Sequence, residues 1–292
     1  MLDKPEGVSS FKALGPVKRA LRGSKVGHTG TLDPFASGLM VALCGRLTKL
    51  ASHFSSLDKT YEAVVFFGKE TETLDPEGPV IAHGDLPTHE RILRETEQFV
   101  GTISQQPPAY SAVHVAGKRA YERARAGEAV ELAERTVHIR DFSILKWSPP
   151  ELTVRITVSA GTYIRSIARD LGHSCGTVAY VAALRRTSVG PWQIADSVPP
   201  ERFTPERDLL SPSRTVAAIP RLRSVLVTDK AVGRVRSGMP LRRDWILSQN
   251  PFPGGVQSDG SDIALFDSHG DLLAVAIPRG DTFSYRFVRP QD

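Results

Sequence analysis

The cleanest alternation in the chain is "ELTVRITVSAG", residues 151–161, where Leu152, Val154, Ile156 and Val158 are separated by Thr153, Arg155, Thr157 and Ser159. A two-residue period predicts a strand with one buried and one solvated face. It runs into "TYIRSIARDLG", in which Ile164, Ile167, Ala168 and Leu171 share one helical face and Arg165 and Arg169 lie one turn apart on another. "YEAVVFFG", residues 61–68, is rich in β-branched and aromatic side chains and predicts a strand buried on both faces or nearly so. The turn-rich "KETETLDPEGPV" and the returning "PVIAHG" then predict a hairpin with a long loop. "THERILRETEQFVG" predicts a capped amphipathic helix with Ile92, Leu93, Phe99 and Val100 facing inward.

Residues 9–22, "SSFKALGPVKRALR", put Phe11, Leu14, Val17 and Leu21 at helical spacing, with Ser9 and Ser10 as caps and Gly23 as the stop. Pro16 inside this run predicts a kink or a late start. "GLMVALCGRLTKLASHF" reads as strand then helix, broken at Gly45, and "TVAYVAALRRTSVGPW" as a helix and a short strand. Residues 104–130 open with a double proline and end in a short basic helix closed by Gly127, an ordered excursion in place of a plain linker. Towards the C-terminus "DIALFD", "LLAVAIP" and "SYRFV" predict the short strands of a small β-barrel. The proline- and charge-rich "SVPPERFTPERDLLSPSR" before them sets a domain boundary within about 205–222.

Composition adds limits. A chain of 292 residues exceeds the ~100–200 of a typical single domain, so a main domain plus a smaller one is expected. No stretch approaches the ~20 apolar residues of a membrane span, and "MLDKPEGVSS" has charge and proline where a signal peptide needs an apolar run, so a cytoplasmic location follows. Cys44 and Cys175, neither in a CxxC pair, read as reduced and structural. No two histidines show metal spacing and cysteines are few, so no metal is expected. The net charge of +5 permits a polyanionic partner. Lys12, Lys18, Arg19, Arg22 and Lys25 lead straight into a glycine-rich loop, where a phosphate backbone could lie.

That loop, "GHTGTLDPFASG" at residues 27–38, holds three glycines, a histidine and one acid, Asp33. It lacks the Gly-Lys-Ser/Thr of a P-loop, and "SSFK" has no companion motif that would make it an acyl-transfer site. A lone aspartate can attack a sugar carbon if a tight loop presents it and a cation keeps it ionised. Gly27, Gly30 and Gly38 allow close backbone approach, and Pro34 stiffens the bend. Taken alone, "TLDP" reads more simply as a turn, with Asp33 capping a helix.

The loop does not stand alone. Together with "KTYEA", "QQPPAYSAVHVAGKRAYERARAG", "GTYIRSIARDLG" and "LRRTSVGPW", in order over residues 2 to about 192, it closely resembles the bacterial tRNA pseudouridine-55 synthase family, TruB. The resemblance implies an α+β pseudouridine-synthase fold: a central mixed, largely antiparallel sheet flanked by helices, in a catalytic domain at 1–215. It further implies a T-arm-binding insertion at about 104–130 and a PUA-like RNA-binding barrel at 222–292. The implied activity detaches uracil from ribose, rotates it and rejoins it through carbon, within the T-arm loop of tRNA and without cofactor or metal. Asp33 matches the catalytic acid, with attack on ribose C1′ or removal of a C2′ proton both open to it. Arg165 matches the arginine that pairs with that acid, and its charge is expected to depress the acid's pKa. Tyr61 matches the tyrosine that stacks on the base and serves in proton transfer. Tyr163 and Leu184 match residues lining the base pocket, and His28 the histidine that fills the space left by the flipped nucleotide. Asp75, in the hairpin "TETLDPEG", is a weaker candidate.

The family implies a monomer that holds the T-arm stem-loop and, through Arg234, Arg236, Arg242 and Arg243, the acceptor end of tRNA. Two features depart from its pattern: His114 stands where the family carries lysine, and the chain opens at "MLDKPEG", where relatives carry extra residues, so a late or trimmed start is expected. The alternative function is a tRNA chaperone in which isomerisation is secondary; the set Asp33, Tyr61 and Arg165 is more than binding requires. A guide-RNA-dependent relative is disfavoured by the insertion and by the absence of long basic tails.

Overall fold

The computed structural model describes residues 1–292 except 112–113, 116–117, 126–127, 129–131, 221, 248–261, 280–281 and 290–292. Its main sheet runs in the order Leu2–Lys4, Ser37–Met40, Ala179–Val189, Lys59–Phe67, Glu151–Val158, Arg135–Ser148, Gly101–Gln105, with Trp192–Gln193 paired to Ala179–Val189. Every ladder is antiparallel except that between Ala179–Val189 and Ser37–Met40. The expected mixed, largely antiparallel sheet is therefore present.

In Glu151–Val158 the alternation works as read: Leu152, Val154, Ile156 and Val158 are all buried. Lys59–Phe67 lies beside it at the middle of the sheet, yet only its odd-numbered positions are fully buried. Helices cover one face of the strand, so its even positions are half-buried. Ala63 and Val65 share a core with Ile92 of helix His89–Glu97 and with Ile167, Ala168 and Leu171 of helix Ile164–Ser174. In the segment of the former helix, Ile92 and Phe99 turn inward as expected, while Leu93 and Val100 are exposed.

One local expectation gives way. Ala179–Val189 is one eleven-residue strand, with no helix. Its alanines, leucine and arginines favour helix, but pairing on both edges outweighs that weak preference. The N-terminal helix is interrupted at Pro16 as expected: it is split into Ser10–Ala13 and Gly15–Ala20, because Pro16 can sit only in a first helical turn. Phe11 consequently points outward under the ammonium of Lys18, 3.8 Å from the ring centroid. In the excursion after the double proline, the strands His114–Val115 and Lys118–Arg119 pair and the helix Ala120–Arg125 follows. Gly127 and the side chain of His114 lie outside the described residues.

The C-terminal strands form a five-stranded sheet in the order Ile246–Leu247, Arg223–Val227, Ile263–Phe266, Leu272–Arg279, Thr282–Val288. Among the described residues it is open, not the expected closed barrel. One face is occupied in another way: Ala264, Phe266, Leu272 and Val275 share a core with Leu39, Leu50 and Phe54 of the N-terminal half. The boundary segment therefore runs over a common core; Val216, Ile219 and Leu222 belong to it.

Of the three glycines in the Asp33 loop, Gly38 is the one whose lack of a side chain is required. It has φ +108° and pairs with Arg186, and a Cβ there would come within 2.3 Å of the Arg186 carbonyl oxygen. Gly38→Ala is expected to destabilise the fold by on the order of 3 kcal/mol, read as a lowered urea midpoint. An unchanged midpoint would mean that the two strands can separate at no cost.

Candidate active site

Asp33 lies on the irregular segment between the strands Val26–His28 and Ser37–Met40, and the N-terminal segment grips this loop on both sides of the acid. The Ser10 hydroxyl donates to the Leu32 carbonyl (2.9 Å) and accepts from the Leu32 N–H (2.8 Å). Beyond the acid, Gly7 N–H donates to the Pro34 carbonyl at 2.8 Å, and Lys4 Nζ reaches the same oxygen at 3.3 Å. Lys4 is wholly buried, and desolvation pulls its ammonium down to about 8 against the opposing pull of Asp33. Of the two expected caps, Ser9 is one, accepting from Lys12 N–H, whereas Ser10 is buried and serves the loop. No helix follows Asp33: its carbonyl closes a turn with Ala36 N–H, and its carboxylate is free to face a cation.

That cation is Arg165, in the first turn of helix Ile164–Ser174. Its Nε lies 3.0 Å from Asp33 Oδ2, as an ion pair whose N–H is not aligned for a hydrogen bond. The rest of the guanidinium is fixed elsewhere. Nη1 donates to Asp75 Oδ2 (3.1 Å) and the Thr73 carbonyl (2.8 Å), and Nη2 to the Tyr110 carbonyl (2.9 Å). Asp75 is itself buried and also accepts from the Thr73 hydroxyl and from Glu77 N–H. One arginine thus serves two acids. Asp33 keeps about a third of its side-chain surface open (34%), while Arg165 keeps 4%. The Asp33 carboxyl is raised above its ordinary value: burial is the largest cause, Arg165 opposes it, and Asp75 adds to it. The expectation of a depressed pKa is overturned because desolvation outweighs a guanidinium shared with a second carboxylate.

Asp33 and Arg165 line a cavity of about 280 Å³, together with Tyr61, Tyr163, Leu184 and Arg186. This is near the lower end for small-ligand pockets and has room for one nucleoside-sized group. Tyr61 and Leu184 belong to neighbouring central strands and share one face of the sheet. Tyr163 caps the Arg165 helix. Its N–H donates to Gln105 Oε1 (2.8 Å), its carbonyl accepts from Gln105 Nε2 (3.1 Å), and the Arg135 guanidinium lies 5.4 Å from its ring centroid. Five of the six predicted residues therefore meet at one cavity. His28 does not line it; it sits on the adjacent strand Val26–His28, with its Nδ1 buried and unpartnered. Burial, then the charges of Arg186 and Lys18, lower its pKa and favour the neutral ring.

Sequence reading missed the roles of Ser10, Lys4, Lys59 and Arg186. Lys59 and Arg186 are buried cations on the cavity wall; in the sequence Lys59 stands just before a strand-like run and Arg186 in a run that favours helix, which gave no hint of burial. Ser10→Ala would leave a buried N–H and a buried carbonyl unpaired, at about 1–3 kcal/mol. It would also loosen the loop that aims Asp33, so turnover is expected to fall roughly tenfold or more. Thermal melting and single-turnover rates check both effects; an unchanged rate in a destabilised protein would show that the clamp on Pro34 suffices.

Residues 18–164 match the family model described as TruB family pseudouridylate synthase (N terminal domain). The chain is 46% identical over 200 residues to the tRNA pseudouridine synthase B of Borreliella afzelii, covering 68% of this chain and 71% of that one. It is 40% identical over 242 residues to that of Borreliella burgdorferi (82% and 84%) and 45% identical over 202 residues to that of Bordetella parapertussis (68% and 83%). Among solved structures it resembles a chain of a Cbf5-Nop10-Gar1 complex, with a TM-score of 0.70 at 24% identity over 99% of this chain and 84% of that one. A chain of an H/ACA RNP bound to a substrate RNA containing 2'-deoxyuridine gives a TM-score of 0.71 at 22% identity, over 100% and 84%.

Proposed function

The chain belongs to the TruB family of pseudouridylate synthases and isomerises uridine to pseudouridine in tRNA; from that premise we propose that its target is the T-arm loop, position 55, and that Asp33 carries the chemistry. The observation behind the second part is the pair Asp33–Arg165: an acid open to a base-sized cavity, oriented by an otherwise buried arginine. Base chemistry inside a folded arm requires the nucleotide to be flipped out, and the lost stacking has to be replaced. Tyr61 and Leu184 offer that replacement on one sheet face, and the Tyr163 ring adds a wall. His28, neutral and beside the loop, takes the place of the extruded base.

The bookkeeping of the reaction is that of an isomerisation. The C1′–N1 bond breaks, uracil turns within the cavity, C5 bonds to C1′, and the proton lost from C5 is balanced by one gained at N1. Asp33 acts as an ionised carboxylate by either route, bonding to C1′ until C5 displaces it or taking the C2′ proton and returning it. Arg165 holds the carboxylate's position through both halves. Tyr61, whose side chain faces the same cavity, is assigned to stack on the base and to assist removal of the C5 proton. The segment at 104–130 is assigned to the T-arm. The C-terminal sheet, as a PUA-like unit from 222, is assigned to the acceptor end. Within that unit Arg234 lies over the Trp245 ring and Arg236 faces Asp267 at 3.7 Å.

Purified protein mixed with a T-arm stem-loop labelled with tritium at uracil C5 should release tritium from one uridine and leave pseudouridine there. Tight binding without release would favour the chaperone reading. Release only in the presence of a separate guide RNA would overturn the stand-alone enzyme.

A further inference from the structure

Two buried cations of the cavity have no part in the scheme above. Lys59 and Arg186 are 6% and 2% exposed, and both line the pocket that holds Asp33. The strand register orders them. Leu184 pairs with Ala63 and Arg186 with Tyr61, while Lys59 lies two residues before Tyr61 on the same sheet face. Along this face Leu184 comes first, Tyr61 and Arg186 lie side by side next, and Lys59 comes last, so both cations sit towards the end away from Leu184, where a backbone could follow a base.

Neither cation faces a carboxylate in an ion pair among the described residues. Lys59 Nζ donates to the carbonyls of Ser55 and Leu57, each at 2.5 Å, which leaves one of its three donors uncommitted. Arg186 Nε donates to the Leu39 carbonyl (2.7 Å) and Nη2 to the Gly30 carbonyl (3.1 Å). Asp58, next to Lys59, is engaged by Arg140 at 3.1 Å. The unneutralised charge of Arg186 is felt nearby: after burial it is the next cause lowering both His28 and Lys59, the latter to about 8. A buried cation without a counter-ion is costly, and two in one pocket describe a site built for an anion that arrives with the ligand.

We propose that Lys59 and Arg186 form a seat for one of the two phosphodiester groups flanking the target uridine, so that the cavity reads base and backbone together. This rests on the isomerase reading and deepens it. A carbonyl of uracil would also accept hydrogen bonds, but it brings no charge to match two cations.

The test is a cycle between protein and RNA. Full-length protein carrying Asp33→Asn, which holds RNA without turnover, is titrated with stem-loops in which the 5′ or 3′ flanking phosphate is replaced by a neutral methylphosphonate on a 2′-deoxy sugar. Each all-phosphate control carries the same deoxy sugar. At one of the two linkages the neutral group is expected to weaken binding about tenfold, and by less than about twofold once Lys59→Met is added. The Lys59→Met protein should bind the neutral RNA as its parent does, which also reports that it is folded. Equal losses with and without Lys59 at both linkages, or weakening by Lys59→Met that ignores the linkage, would overturn the seat and leave Lys59 a strut for the Ser55 and Leu57 carbonyls. Failure of the isomerase reading looks different: the unaltered protein would form no pseudouridine on an ordinary stem-loop.

Discussion

Replacing Asp33 by asparagine is expected to lower pseudouridine formation at least about 10³-fold, since it removes the group that acts on the ribose, while leaving RNA affinity within a few-fold of the parent. The same substitution should not weaken the fold. Burial raises the Asp33 carboxyl, so the folded chain still holds its proton at pH values where the unfolded chain has released it. Stability therefore falls as pH rises through that window, and at neutral pH the ionised acid is a cost that the structure carries for function. Asparagine removes the cost and keeps the shape, so the melting temperature should equal or exceed that of the parent. Residual activity within tenfold would sink the role of Asp33, and a large drop in melting temperature would show that Arg165 needs its charge.

The raised carboxyl also sets the acid limb of the activity. Both routes open to Asp33 use the carboxylate, so turnover should rise with pH as the proton leaves, with its midpoint above the ordinary aspartate range of about 4. A single-turnover profile on the stem-loop measures it. A midpoint at or below that range would mean that Arg165 outweighs burial in solution.

How much of this was legible in the chain varies with the range of the interaction. The strand at 151–158 was readable because one buried face imposes its own alternation, and the helix carrying Arg165 because its apolar stripe is local. Ala179–Val189 was not, because what makes it a strand is its two neighbours, distant in sequence. Among site residues the same division holds. Asp33, Tyr61, Tyr163, Arg165 and Leu184 could be carried over from motif resemblance, but the second carboxylate on Arg165 depends on the hairpin folding back to bring Asp75 within 3.1 Å. The sign of the Asp33 shift was misjudged for that reason: a sequence shows a cation that can face an acid, and not how deeply both are buried or who else shares the cation. Ser10 looked like an ordinary cap until Leu32 arrived against it from 22 residues away.

Arg165 offers the sharpest separation of architecture from chemistry. Arg165→Met is expected to cost about 3–5 kcal/mol, because the partly exposed Asp33 can turn to solvent while Asp75, 5% exposed at its side chain, cannot. The carbonyls of Thr73 and Tyr110 lose their donor at the same time. If the loss arises from the stranded Asp75 charge, adding Asp75→Asn should recover much of the urea midpoint. Activity should stay at least about a hundredfold down in that double variant, since nothing then positions Asp33. Arg165→Lys tests the geometry: a single ammonium cannot reach both acids and both carbonyls as the guanidinium fork does, so it should hold stability better than methionine and restore little turnover. A midpoint that does not move with Arg165→Met would show that Asp75 is satisfied by Thr73 and Glu77 alone. Recovery of turnover by Asp75→Asn would show that Arg165 acts on catalysis only through the fold.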